Sequence, residues 1–340
     1  MTTHPFGTLP DGREVRRARI SAHGLSLSVI SLGASIQDLR LDGVAQPLVL
    51  GFPTLAPYLD EGRHFGAIVG RCANRIAGAE AQIGARSYRL DANEGGRTTL
   101  HGGTDGSSRR NWRIDDVATD HVTLTDLLPD GHMGFPGDLL VRVRYLLMPG
   151  PILRIGILAT ASATTLCNFA PHAYFNLDGK ATVADHRLTV PAQTFLPTGP
   201  DGIPLAEPRP VEGTALDFRA PALLGPRLGR VEGTRPIDHN LCLRARKRLL
   251  AERAAVLRAG GVQMVIETTE PGLQVYTADH LRPGAEGTGG RPFGAHAGIA
   301  LEPQIWPDAV HHPGWPSPVL RAGEVYRHIT MIRFGRVRNG

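Results

Sequence analysis

Leu139 to Leu147 reads Leu-Leu-Val-Arg-Val-Arg-Tyr-Leu-Leu. Val141, Val143 and Tyr145 alternate with Arg142 and Arg144, so one side is apolar and the other charged. A period of two belongs to a strand, whose successive side chains point to opposite faces. A helix would space its apolar residues by three and four. The stretch is therefore predicted as a half-buried strand. The same alternation recurs in Leu25–Ile30 (LSLSVI), Val262–Thr268 (VQMVIET) and Leu273–Ala278 (LQVYTA). Turn clusters separate these segments: Pro10-Asp11-Gly12, Asn93-Glu94-Gly95-Gly96, Pro129-Asp130-Gly131, Pro200-Asp201-Gly202 and Pro283-Gly284. Short strands joined by Gly/Pro-rich turns predict an all-β fold, a large antiparallel β-sandwich. Arg246–Leu257 (RKRLLAERAAVL) is open to two readings: it holds good helix formers, or it is a loop bordered by strand.

With 340 residues, 41% of them hydrophobic and 20% charged, the chain can bury a sizeable core. No low-complexity linker divides it and no repeat recurs at a fixed period, so residues 1–340 are read as a single domain. The opening residues contain no apolar run of signal-peptide type, and no stretch approaches the length of a spanning helix. Cys72, Cys167 and Cys242 are odd in number and far apart, which fits neither a zinc spacing nor a disulfide framework. The expectation is a soluble, reducing, cytoplasmic setting with no membrane partner. The net charge is +5, nearly all of it from arginine, since the only lysines are Lys180 and Lys247. The arginines are scattered, and the densest basic run, Arg244 to Arg248, is too short to argue for nucleic acid.

Polar and charged residues gather in five loop-like motifs. Gly70-Arg71-Cys72-Ala73-Asn74-Arg75-Ile76 offers guanidinium forks, suited to paired hydroxyls or to tying loops together. Leu100-His101-Gly102-Gly103 sets a histidine beside two glycines that permit close approach of a ligand. In Pro171-His172-Ala173-Tyr174-Phe175-Asn176-Leu177 a histidine lies among apolar neighbours, as a core residue or as a proton donor tuned by them. Ile237-Asp238-His239-Asn240-Leu241 is either a turn or a carboxylate presented to a ligand. In Leu301-Glu302-Pro303-Gln304-Ile305-Trp306-Pro307-Asp308-Ala309, Glu302 ends an apolar run, where a carboxylate is costly unless paired. Trp306 fits either a sugar-stacking or a core role.

Taken in order, with Gly134-Phe135-Pro136-Gly137 between the second and third, these motifs resemble those of the galactose mutarotase-like aldose 1-epimerases. Further matches are Phe195-Leu196-Pro197-Thr198 with Asp201-Gly202-Ile203-Pro204, then Gly213–Arg219, and Leu320-Arg321-Ala322-Gly323-Glu324 with Tyr326. The resemblance runs from about Gly33 to Phe334. It implies a β-sandwich with a broad sugar cleft, Glu302 as general base and His172 as general acid. It also implies His101 near the ring oxygen or sharing the proton work, and Arg71, Asp238 and Asn74 binding sugar hydroxyls. The chain departs from the family pattern at Ala170-Pro171, at Ile237 and Leu241 flanking Asp-His-Asn, and at Trp306 and Val310–Trp315.

Mutarotation of a free monosaccharide needs one base and one acid, expected on opposite sides of the hemiacetal. It needs neither a metal nor an organic cofactor. The expected pH profile is bell-shaped across the range where histidine titrates. Rival readings are a sugar-phosphate mutarotase on the same fold, a non-catalytic carbohydrate-binding protein, and a metal or glycosidase enzyme. His311-His312 is adjacent rather than spaced for one metal. The sequence leaves the preferred aldose open, and with it the choice between monomer and homodimer.

Overall fold

The structure, a computed structural model, describes residues 3–205, 207–229 and 236–337. Its framework is three antiparallel sheets. The first has four strands in sequence order: His4–Thr8, Glu14–Ala22, Leu25–Ile30 and Ser35–Leu41. The second has nine, in the spatial order Arg113–Val117, His121–Leu128, Leu139–Met148, Ile152–Ala161, Val325–Arg336, Val262–Thr268, Glu252–Ala259, Arg187–Thr189 and Ala222–Leu223. The third has six: Tyr174–Phe175, Ile299–Gln304, Gly272–Tyr276, Asp238–Cys242, Thr194–Phe195 and Arg209–Pro210. Among the described residues helix is confined to single turns such as Ala56–Leu59. No helix among the described residues is long and apolar enough to cross a membrane.

The segments whose alternation predicted strands form strands: Leu25–Ile30 and Val262–Thr268 keep their expected bounds, and Leu139–Met148 and Gly272–Tyr276 differ from theirs by one or two residues. In Leu139–Met148 the inward residues Val141, Val143 and Tyr145 are buried while Arg142 and Arg144 are exposed. The main core joins all three sheets: Leu27 and Val29 from the first, Tyr145 and Ile155 from the second, Leu273, Val275 and Leu301 from the third. The Tyr145 hydroxyl lies in this core and donates to the Ala34 carbonyl (2.6 Å), so its polar atom is satisfied.

Arg246–Leu257 takes the second of its two readings. Residues 252–259 form a strand paired with Val262–Thr268, and residues 246–251 are loop. Helix formers such as Leu, Ala and Arg differ by only a few tenths of a kcal/mol in propensity, which a central position in a nine-stranded sheet readily overrides. Trp306 belongs to a satellite core with Leu196, Ile305 and Trp315, and its indole N–H donates to the Pro271 carbonyl.

Strand Ile299–Gln304 positions the site. All six of its residues are buried, but for two reasons. Ile299 and Leu301 enter the main core, whereas Ala300 and Glu302 point the other way. Cross-strand pairing puts Tyr174 and Tyr276 beside Ala300, Gln274 beside Glu302, and Asp238 beside Tyr276. One face of the six-stranded sheet thus carries the sequence-predicted Asp238 and Glu302.

Candidate active site

A cleft of 540 Å³ opens on that sheet face. Its walls include Asn74, Arg75, His101, His172, Asp238 and Glu302, drawn from segments up to 228 residues apart, together with His64, Glu94 and Tyr276. The size falls in the range of about 300–1,000 Å³ usual for small-molecule sites.

Glu302 is 2% exposed, and Oε2 has no hydrogen-bond partner among the described residues. Its Oε1 lies 3.5 Å from His172 Nε2. Burial, reinforced by the nearby Asp238 carboxylate, pushes the Glu302 carboxyl well above the usual carboxylate range. His172 is 4% exposed and is held by its backbone, whose N–H donates to the Ala67 carbonyl and whose carbonyl accepts from Gly66. Burial pulls its imidazole down to about 4, with Asp238 opposing. Each member of the pair is thereby driven toward its neutral form. The base and acid expected on opposite sides of a sugar are instead neighbours, because the chain leads both side chains to the same sheet face.

His101 joins this pair, with its ring centroid 5.4 Å from that of His172. The Asn74 backbone N–H donates to His101 Nδ1 (3.1 Å), which fixes the neutral tautomer with its proton on Nε2. Burial holds this imidazole well below its ordinary pKa, followed by the effects of His64 and His172. The glycine after it is required by packing: a Cβ on Gly102 would sit 2.2 Å from the Gly70 carbonyl oxygen, and φ is +83°. Asn74, 4% exposed with φ of 61°, takes the left-handed conformation that asparagine tolerates better than most residues.

Asp238 accepts from Gln274 Nε2 (2.7 Å) and lies 3.7 Å from Arg75 Nη1. Arg75 grips Glu94 through both Nε and Nη2, at 2.7 and 2.8 Å. Burial pulls its guanidinium down, but Glu94 and Asp238 together outweigh it and hold the pKa above its ordinary value. A fixed positive charge therefore stands beside Asp238 with Nη1 only loosely engaged.

Arg71, expected among the sugar ligands, is elsewhere. It is 1% exposed and forms no part of the cleft lining. Nη1 donates to the carbonyls of Pro136 and Gly137 and to Thr165 Oγ1, and Nη2 donates to the carbonyls of Leu128 and Pro129. Its guanidinium also stacks over Phe135. It ties the loop to its neighbours, the alternative the sequence left open, and Arg75 takes the position at the cleft. Sequence reasoning also missed His64, whose ring lies 4.9 Å from His101 and 5.9 Å from His172 and whose Nδ1 meets Ser108 Oγ at 3.2 Å. Tyr276 and His280, hydrogen-bonded to each other, complete the rim. Nothing in the linear pattern around His64 marks it out, since its role comes from the two imidazoles folded against it.

The family model for aldose 1-epimerase matches residues 16–333. Galactose mutarotase from Mus musculus is 38% identical over 98% of both chains, and the Homo sapiens protein of the same name is 37% identical over 98% of both. Aldose 1-epimerase from Escherichia coli is 32% identical over 96% of both. An aldose epimerase homologue from C. elegans superposes with a TM-score of 0.87 at 28% identity, covering 95% of this chain and 99% of that one. A sheet face that brings five of the six expected site residues into one cleft, carried on a chain matched almost end to end, leaves one assignment: this chain belongs to the aldose 1-epimerase family, isomerases that act on carbohydrates.

Proposed function

We propose that the chain is a mutarotase that interconverts the α and β anomers of a free aldose, with Glu302 as base and His172 as acid. The observation that carries this reading is the buried Glu302–His172 pair, 3.5 Å apart, at the wall of a sugar-sized cleft. The anomeric oxygen and the ring oxygen are bonded to the same carbon, so two neighbouring groups reach both along one edge of the sugar.

Burial favours protonated Glu302 and neutral His172 before a sugar binds, so the pair holds one proton. Sugar hydroxyls donating to the carboxylate favour its ionised form and move that proton across to the imidazole. Glu302 then takes the proton from the anomeric hydroxyl while His172 gives one to the ring oxygen. The bond from anomeric carbon to ring oxygen breaks, leaving an aldehyde and a hydroxyl. Rotation about the adjacent carbon–carbon bond presents the other carbonyl face. Reclosure returns the proton from Glu302 to the anomeric oxygen, and the ring hydroxyl's proton to His172. General acid–base assistance of this kind contributes ~10²–10⁴-fold. His101, with its proton on Nε2, is a donor beside the pair, and Asp238, Asn74 and Arg75 bind hydroxyls.

Six carboxyl groups line the cleft (Asp60, Glu61, Glu94, Asp238, Asp279 and Glu302) against two guanidiniums, Arg63 and Arg75. That balance weighs against a phosphorylated sugar. The test is polarimetry on freshly dissolved α-anomers of glucose, galactose, xylose and arabinose, and on a hexose 6-phosphate. Catalysed equilibration of at least one neutral aldose, with little for the phosphate, is the expected result. Sugar binding with no rate enhancement for any of them would reverse the assignment.

A further inference from the structure

The arginines that look scattered along the sequence are partly gathered by the fold. Arg142 and Arg144 share the outer face of strand Leu139–Met148, Arg154 lies on Ile152–Ala161, and Arg327 lies on Val325–Arg336. These three strands are adjacent in the nine-stranded sheet. The register centres them on Gly156: Arg144 is directly opposite it on one side and Ile329 on the other, while the next rung runs Arg142, Leu158, Arg327. Neighbouring strands lie about 4.8 Å apart, so the four side chains rise within reach of one another. Gly156 contributes no side chain, and the Arg154 guanidinium folds over it, 3.3 Å from where a Cβ would stand; the result is a hollow of 610 Å³ lined by guanidiniums.

None of the four forms an ion pair among the described residues, whereas three other exposed arginines pair with an aspartate two residues away: Arg13 with Asp11, Arg113 with Asp115, Arg219 with Asp217. Asp115 and Asp120 feel Arg142 and Arg144 only at longer range; Asp115 is engaged by Arg113 at 2.6 Å and Asp120 by His121 at 2.8 Å. Arg154 is only part-exposed, and burial, then Arg327 and Arg144, hold its guanidinium below the ordinary arginine range, which places these charges in one another's field. Like charges held together on a rigid sheet favour a multivalent counter-charge.

We propose that this hollow binds a triphosphate-class anion, seated over Gly156 and gripped by Arg142, Arg144, Arg154 and Arg327. Guanidinium forks match phosphoryl oxygens in pairs, and a triphosphate carries enough negative charge to balance four of them, as a single phosphate does not. The site lies outside the sugar cleft and shares no residue with it.

The test is calorimetric titration of the intact protein with inorganic triphosphate and, separately, with a nucleoside triphosphate, at low and at high salt. Saturable binding that weakens with salt is expected. Arg144→Ala combined with Arg154→Ala should weaken it by about tenfold or more. Gly156→Val keeps all four charges but displaces the Arg154 guanidinium, which lies 3.3 Å from where the Cβ would stand. Its φ is not in the left-handed region, so the strand accepts a β-branched residue, and it should weaken binding comparably. The control Arg246→Ala with Arg248→Ala removes the same charge from a loop and should leave affinity unchanged. All variants should equilibrate sugars at the wild-type rate, which verifies folding. Equal affinity for the two ligands supports a site that reads phosphoryl groups alone, and tighter nucleotide binding supports a nucleotide occupant. Absence of binding at low salt, or a loss in the control equal to that in the arginine pair, would overturn the proposal.

Discussion

Arg71 and Arg75 stand four residues apart in one loop and end in opposite circumstances. Arg71 is enclosed, with five acceptors around its two terminal nitrogens, and burial pulls it down to about 10. Arg75 reaches the cleft, fixed on one side by Glu94 and left with a loosely held nitrogen facing Asp238. The same residue type serves as an anchor where its terminal nitrogens are satisfied by the protein and, in the proposed function, as a binding group where one is left loosely held. The cleft shows the second condition at its deepest pair: Glu302 Oε2 and His172 Nδ1 are buried without hydrogen-bond partners among the described residues, a costly arrangement. Stability is concentrated behind the cleft wall and reactivity in front of it.

The sharpest way to break this division is to change the unpartnered pair. Glu302→Gln keeps the shape but removes the proposed proton acceptor, and His172→Asn removes the proposed donor. Each should lower turnover by ~10²–10⁴-fold while leaving thermal stability near that of the wild type or higher. Polarimetry and thermal unfolding on the same samples check both halves. Full activity in Glu302→Gln would remove the carboxylate from the mechanism.

The two arginines should then separate by type of effect. Arg71→Ala strands buried carbonyls and leaves a cavity, so it should cost about 3 kcal/mol or more of unfolding free energy, visible as a lowered denaturation midpoint. Whatever of it folds should retain a KM near the wild-type value. Arg75→Ala should do the reverse, raising KM roughly tenfold, the equivalent of one lost hydrogen bond to a charged group, with a smaller change in stability. A KM effect confined to Arg71→Ala would exchange the two assignments.

The sequence made the strands legible because alternation is a local signal: Leu25–Ile30 and Val262–Thr268 have the bounds their pattern predicts. Local context left a structural reading open for His101, His172, Asp238 and Glu302; it was the order of their motifs, resembling that of the aldose 1-epimerases, that singled them out. The pattern could not tell Arg71 from Arg75, because both are arginines in one short motif and only the fold decides which meets carbonyls and which meets solvent. His64 and the four arginines around Gly156 were illegible for the same cause. Their significance lies in partners that are distant in sequence, across strands whose pairing no local pattern states. Arg246–Leu257 was ambiguous because its composition favours helix while its place in the sheet demands strand.

The smallest expected effect concerns pH. An unperturbed histidine acting as acid would put the acid limb of the activity profile near 6.5. Burial lowers His172 to about 4, and it raises Glu302. In the proposed mechanism the working state is the pair carrying a single proton. As pH falls, a second proton must be added to the imidazole, which happens only around the depressed value. As pH rises, the one proton must leave a carboxyl whose hold on it is strengthened. Activity should therefore stay level between pH 5 and 6.5 and fall as pH drops through about 4. Stability should move earlier. The unfolded chain takes up protons on its histidines below about 6.5, while His172 and His186, each lowered to about 4, do not in the folded state. Between those limits the unfolded form binds more protons, so the melting temperature should decline on acidification before turnover does. A profile of kcat/KM against pH, which reports the groups of the sugar-free enzyme, beside one of melting temperature tests the order. An acid limb of kcat/KM centred near 6.5 would mean that the reacting imidazole is solvated like an ordinary one, and the distinction between the cleft and the loop behind it would then rest on geometry alone.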